Sequence, residues 1–231
     1  MSELSLPALK RQLVAYSRRL WDRGYVANHD GNVSVRLPAR RFLCTPTSFS
    51  KGEVGESDLL IVDPDGKRLE GRWKPFGELG LHLAAMRARA DVNVVIHAHP
   101  PYSTAFACAG RALDCAIIAE AVVSLGDRVP LIPYAIPGSA TQLETLVTAL
   151  PWYDVVLLGS HGVLAVGTDL DQAYLRLELV EHLATIHHHA QALGGARRLP
   201  DGDVTRLLQK RKEAGLGPGA RGLNGSAPTF S

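Results

Sequence analysis

Two apolar runs in this chain end in histidine. Val94-Val95-Ile96 leads into His97-Ala98-His99-Pro100, and Val155-Val156-Leu157-Leu158 leads through Gly159-Ser160 into His161. Short aliphatic, β-branched runs bounded by Gly or Pro predict strands buried on both faces. Alternating Val33-Ser34-Val35-Arg36-Leu37 and the following Arg41-Phe42-Leu43-Cys44 predict two strands joined at Pro38-Ala39. Leu59 to Asp63, the turn Pro64-Asp65-Gly66 and Lys67 to Gly71 predict a hairpin. Val163 to Val166 reads as a further strand, and the proline-marked Val129 to Tyr134 as one near a sheet edge.

Helical spacing covers much of the remainder. Leu6, Leu9, Leu13, Leu20 and Trp21 predict an amphipathic helix stopped at Gly24. A helix is predicted over 77–90, with Glu78 in its first turn and four residues before His82 on one face. Shorter helices are expected over 102–109, from a cap at Pro137-Gly138-Ser139 to Leu150, and over 204–214, and the longest over 168–193 with Gly194-Gly195 as its stop. His182, His187, His188 and His189 ride on that longest helix, where consecutive residues fan out around the axis; the triple histidine is therefore read as partly exposed surface. Glu120, inside the apolar run 117–123, needs a partner or an opening to water. Residues 215–231, rich in Gly, Pro and Ser without periodicity, are expected to be disordered.

Composition narrows the function. With 231 residues, 25 basic against 23 acidic side chains and a net charge of +2, nothing calls for nucleic acid or an anionic membrane, while a small anionic substrate stays open. No stretch approaches a membrane span and the start lacks a signal-peptide pattern, which predicts a cytoplasmic protein. Cys44, Cys108 and Cys115 match neither a zinc knuckle nor a redox pair and are expected to be reduced.

The chemistry gathers at the histidines. Side chains at i and i+2 of a strand share a face, so His97 and His99 converge at the end of theirs, and His161 ends a second buried strand. Three imidazoles with one position left open is the ligand set of catalytic zinc, whereas structural zinc usually closes all four positions, often with cysteine. Glu78 adds a carboxylate suited to proton transfer. Thr45-Pro46-Thr47-Ser48-Phe49-Ser50-Lys51-Gly52 is a polar loop whose hydroxyls and N–H groups could face a ligand.

Gly31-Asn32-Val33-Ser34, Thr45-Pro46-Thr47, Lys74-Pro75 with Glu78 three residues on, Ala90 through Pro100, Pro137-Gly138-Ser139 and His161-Gly162 together resemble the class II aldolase/adducin family, in consistent order from about residue 9 to about 195. The resemblance implies a three-layer α/β/α fold around a mixed, largely antiparallel sheet within residues 1–200, with 201–231 as a C-terminal segment, and commonly a homotetramer. It places zinc, or another divalent ion, on His97, His99 and His161, the catalytic acid/base on Glu78, and substrate contacts on Gly31, Asn32, Thr47, Ser48, Phe76 and Gly77. Sugar-phosphate aldolases typically carry serines where Phe76 and Gly77 stand, so two phosphate hydroxyls are missing; Lys51 or Lys74 is a candidate replacement, and Phe76 a candidate aromatic wall. The implied activity is carbon–carbon cleavage or formation in a small hydroxylated carbonyl compound of sugar-phosphate type, assisted by a metal that stabilises an enediolate. Decarboxylation, dehydration and epimerisation are the family's alternatives, and a non-catalytic adducin-like interaction module a second one.

Overall fold

The computed structural model describes residues 5–223 and 225–230. In chain order the elements are α1 (Leu6–Asp22), β1 (Asn32–Leu37), β2 (Arg41–Cys44), β3 (Leu60–Val62), β4 (Arg68–Glu70), α2 (Leu79–Ala88), β5 (Val94–Ala98), α3 (Pro101–Cys108), β6 (Leu113–Asp114), α4 (Ala119–Leu125), β7 (Arg128–Val129), β8 (Leu131–Ile132), α5 (Ala140–Ala149), β9 (Val155–Leu158), β10 (Gly162–Gly167), α6 (Leu170–Gln191), α7 (Asp201–Glu213) and α8 (Gly217–Ala220).

Eight strands form one sheet in the order β4-β3-β2-β1-β5-β10-β9-β8. Every neighbouring pair is antiparallel except β8 with β9. The two histidine-bearing runs therefore lie close to each other at the middle of the sheet, β5 and β9 both flanking β10. Strand alternation splits the apolar side chains between two layers: Val94, Ile96 and Ala98 face a core shared with α1, α3, α4 and α6, while Val95 faces one shared with α2 and α5. This is the expected three-layer arrangement.

Pro130 changes the predicted strand 129–134. Lacking an N–H, it interrupts the ladder. Arg128–Val129 pairs with Leu113–Asp114 in a separate two-stranded ribbon, and Leu131–Ile132 forms the edge of the main sheet. Glu120 is exposed in the first turn of α4, so its charge meets water. His187 departs from the surface reading of the triple histidine. It is buried, with its Nε2 2.7 Å from the Asp114 carbonyl and its ring edge-on to Phe106, while His188 and His189 are exposed.

The helix predicted over 204–214 forms as α7, with Val204 buried beside Ala116 and Val122 and with Leu207 and Leu208 against them. Of the stretch expected to be disordered, Ala227 and Phe230 lie against the α2/α5 core. What composition does not show is an ionic anchor. Asp154, just before β9 and with no exposed side-chain surface, meets Arg89 (2.7 Å), Arg176 (3.3 Å), Arg211 (2.6 Å) and Arg221 (3.2 Å). The last two come from residues 201–231. Opposing burial, the four guanidinium groups hold the Asp154 carboxyl well below the usual range. Removing one member of a buried ionic cluster strands the others and typically costs about 3–5 kcal/mol. Asp154→Asn is therefore expected to lower unfolding free energy by about 3 kcal/mol or more in urea titrations, and to make residues 201–231 more sensitive to limited proteolysis.

Candidate metal centre and active site

Register brings the histidines together. Asn32 on β1 and Leu164 on β10 are both paired with His97 on β5, so the end of β5 lies between the start of β1 and the start of β10. His99 follows one residue beyond β5, and His161 sits in the tight β9–β10 turn, after Ser160 at φ 51°. Their rings form a triangle with centroid separations of 4.8 Å (His97–His99), 4.6 Å (His97–His161) and 5.3 Å (His99–His161).

Two glycines permit this closeness. A Cβ on Gly162 would stand 2.5 Å from His99 Cδ2 and 2.6 Å from the Ala98 carbonyl. Gly31, at φ +69°, would carry a Cβ 2.4 Å from Val26 Cγ1 and 3.1 Å from the His97 carbonyl.

The hydrogen bonds define which nitrogens are free. His97 Nδ1 donates to the Val163 carbonyl at 3.0 Å, and His99 Nδ1 donates to Asp30 Oδ2 at 3.0 Å. Carbonyls and ionised carboxylates only accept, so both Nε2 atoms carry lone pairs. They face each other 3.0 Å apart. Nitrogens about 2.0–2.1 Å from a shared tetrahedral zinc would lie about 3.3–3.4 Å from each other, so the spacing fits a common cation. Burial, reinforced by the two neighbouring imidazoles, pushes the His97 pKa well below its ordinary value, which favours the neutral ring a metal requires. His161 is lowered too, by burial first, with Glu78 opposing and His99 adding to the shift. Among the described residues these three histidines are the one group of three or more His, Cys, Asp or Glu side chains placed to hold a metal ion.

Glu78 closes the site from the other layer. It is the N-cap of α2 rather than a residue of its first turn, because its backbone, at φ −92° and ψ 10°, lies outside helical geometry. Its Oε1 is 3.1 Å from His161 Nε2 and its Oε2 3.4 Å from His97 Nε2, while Asn32 Nδ2 donates to Oε2 at 3.3 Å. His82 does not join them. It is fully buried, its Nδ1 2.7 Å from Ser34 Oγ, with its pKa lowered to about 3 mainly by burial and further by His97, against the opposing charge of Glu78.

The expected substrate residues divide. Asn32 reaches Glu78, and Gly31 packs behind His97. Thr47 is bound to the other side of the site through its N–H to the Lys74 carbonyl and the Pro46–Pro75 bridge, with Ser48 exposed beside it at φ 60°. Gly77 is exposed, with open space where a side chain would be. Phe76 is not a wall of an open site: its ring is buried in the α2/α5 core, edge-on to His82 at 5.0 Å. Lys51 is also buried, its Nζ donating to the Phe49 carbonyl at 2.6 Å, and burial lowers its pKa to about 8 against the opposing pull of Asp30. Of the two lysines only Lys74 is exposed. Asp30, one residue before the Gly31-Asn32 motif, was not singled out by sequence reasoning; its place in a turn-forming cluster gave no sign that it meets a histidine 69 positions away.

A mixed α/β fold with three histidines and a glutamate at the mouth of its central strands defines a class of metal-assisted carbon–carbon bond enzymes and their relatives. Residues 11–188 match the Class II Aldolase and Adducin N-terminal domain, and the chain belongs to that family. It is 34% identical to an L-fuculose phosphate aldolase of Methanocaldococcus jannaschii, over 77% of this chain and 94% of that protein. It is 33% identical to a 3-oxo-tetronate 4-phosphate decarboxylase of Haemophilus influenzae, over 89% and 98%. A solved L-fuculose 1-phosphate aldolase superposes with a TM-score of 0.82 at 29% identity, covering 92% of this chain and all of that one.

A buried histidine held neutral makes stability depend on pH. The unfolded His82 binds a proton near pH 6.5, but the folded one only near 3, so its contribution is present above 6.5 and is lost progressively as pH falls toward 3. From His82 alone the metal-free protein is expected to lose about 1.4 kcal/mol per pH unit below 6.5. Urea unfolding at pH 7 and pH 5 tests the slope, and His82→Asn is expected to flatten it.

Proposed function

We propose that this chain is a lyase that cleaves, or in reverse forms, a carbon–carbon bond in a small hydroxylated carbonyl compound of sugar-phosphate type. The carrying observation is the convergence of three imidazoles on one point, with the Glu78 carboxylate 3.1 and 3.4 Å from two of their nitrogens. His97, His99 and His161 would hold zinc or another divalent ion. Bound there, the ion would act as a Lewis acid toward a substrate oxygen and stabilise the negative charge that develops during bond cleavage.

The chain's own residues carry the proton and place the substrate. Glu78 Oε1 and Oε2 stand 3.1 and 3.4 Å from His161 Nε2 and His97 Nε2, and Asn32 orients the carboxylate by donating to Oε2. A general acid–base group must lie within hydrogen-bond reach of the carbon or oxygen that exchanges the proton, and a carboxylate this close to the histidine nitrogens supports that role for Glu78. Thr47, tied to Lys74 through its N–H, and the exposed Gly77 just before α2 support an anion-binding rim, because the first N–H groups of a helix and its dipole favour negative charge. Leu79, Leu81 and Leu83, buried beneath that rim, fix the helix.

Decarboxylation is the second reading. The 33% identity to the Haemophilus influenzae decarboxylase, over 89% of this chain, supports it, at a level close to the 34% identity to the Methanocaldococcus jannaschii aldolase. Both reactions remove a bond next to a carbonyl and leave charge for the same ion to stabilise, so product analysis separates them: an aldehyde from one, carbon dioxide from the other. A cytoplasmic homo-oligomer, tetrameric as is common in the family, fits the three free cysteines and the exposed Tyr134 and Ile136 beside the edge strand β8. Among the described residues no helix is long and apolar enough to cross a membrane.

Glu78→Gln keeps the shape of the side chain and removes its proton exchange. Turnover is expected to fall about 10²- to 10⁴-fold while metal content and fold are retained, measured by steady-state assay on a panel of ketose phosphates and 3-oxo acid phosphates, metal analysis and circular dichroism. Unchanged turnover would remove Glu78 from the mechanism. Chelation is expected to abolish activity and one zinc per chain to restore it; a fully active chelated protein would overturn the metal reading.

A further inference from the structure

The turn before β1 is tied to His99 twice. The His99 backbone N–H donates to the Tyr25 carbonyl at 2.9 Å, and its Nδ1 donates to Asp30 Oδ2 at 3.0 Å. Asp30 is itself held: its Oδ1 accepts the Ala27 N–H at 2.6 Å, and its own N–H donates to the Ala27 carbonyl at 3.0 Å. Asn28, at φ 48°, makes the tight bend between them possible. The carboxylate is thus fixed at one oxygen by the backbone and offers the other to the imidazole.

The three histidines are not equally constrained. A backbone carbonyl sets the tautomer of His97, and buried His161 Nδ1 has no hydrogen-bond partner. His99 is the one whose proton is placed by another side chain. We propose that Asp30 is a positioning residue for the metal centre, holding the His99 proton on Nδ1 so that Nε2 presents its lone pair beside His97 Nε2. This rests on the metal reading of the site. A carboxylate behind a ligating imidazole fixes its ring and raises its basicity, and loss of such a partner typically weakens metal binding about 10- to 100-fold. Burial alone would raise the Asp30 carboxyl; the His99 bond and the Ala27 N–H outweigh it and hold the group ionised, as an acceptor must be.

The geometry predicts an inverted order of severity. In Asp30→Asn the Ala27 N–H would keep the amide oxygen, turning the NH₂ group toward His99 Nδ1. A donor there favours the tautomer with the proton on Nε2, which blocks the nitrogen a metal needs. Asp30→Ala leaves Nδ1 to water and imposes neither tautomer. Asparagine, the closer isostere and a good turn former, should therefore be the worse substitution for metal binding.

The experiment compares wild type, Asp30→Asn and Asp30→Ala, using ¹⁵N imidazole NMR of the metal-free proteins and zinc affinity by chelator competition, with circular dichroism to establish folding. Expected are an Nδ1–H tautomer at His99 in wild type, an Nε2–H tautomer in Asp30→Asn, and zinc affinity reduced about 10- to 100-fold in Asp30→Asn and less in Asp30→Ala. A wild-type tautomer or unchanged zinc affinity in folded Asp30→Asn would overturn the proposal. So would the opposite order, Ala weaker than Asn, which a purely structural role for the turn predicts. Failure of wild type to bind zinc would overturn the metal reading instead, and the tautomer measurement, made without metal, would still decide what Asp30 does to His99.

Discussion

Nitrogen lone pairs held face to face repel, and a fold keeps them so only by constraining each ring from behind. Here His97 Nε2 and His99 Nε2 stand 3.0 Å apart with His161 beside them. The constraint reaches through the whole sheet. β1 and β10 must flank β5 in the observed register, because β10 supplies the carbonyl behind His97 and the turn before β1 supplies Asp30 behind His99. Gly162 and Gly31 must lack side chains so that backbone can approach the rings. Such an arrangement is unfavourable alone and favourable around a cation, which links metal binding to folding of this region.

The same pressure explains the division of labour between the layers. The histidines sit on β5, one residue beyond it and in the β9–β10 turn, where central strands buried on both faces leave little freedom. Glu78 belongs to the start of α2, and Thr47 and Ser48 to a loop, with Gly77 exposed at the rim. The sheet and its turns hold the three histidines, while Ser48 and Gly77 stand exposed to solvent. Asn32 joins the two parts, being paired with His97 through the backbone and bonded to Glu78 through its side chain.

At the opposite side of β9, Asp154 gathers four arginines from three separated regions of the chain. A buried cluster of this kind contributes less to net stability than its short distances suggest, since each charge has been taken out of water. Its structural effect is to tie Arg211 of α7 and Arg221 to the body. Phe230 and Ala227 complete that attachment by packing on the α2/α5 core.

The sequence by itself determined the strands that end in histidine, the class of fold, and the three histidines and Glu78 that the structure brings together, because periodicity, strand ends and residue chemistry are local properties and the family motifs recur in fixed order. Only the tertiary structure decided what depends on contacts between distant positions. Phe76 and Lys51, read as facing a substrate, are buried, because the loop and the start of α2 fold back onto the core. His187, on an apparently solvated helix face, is covered by the ribbon residue Asp114 and by Phe106. Arg211 and Arg221 find Asp154 57 and 67 residues away, a pairing that the composition of the C-terminal segment does not show. No local pattern marks Asp30 as the partner of His99. Pairings of this kind leave no period and no spacing in the chain, since their energy arises only when burial removes water from both partners.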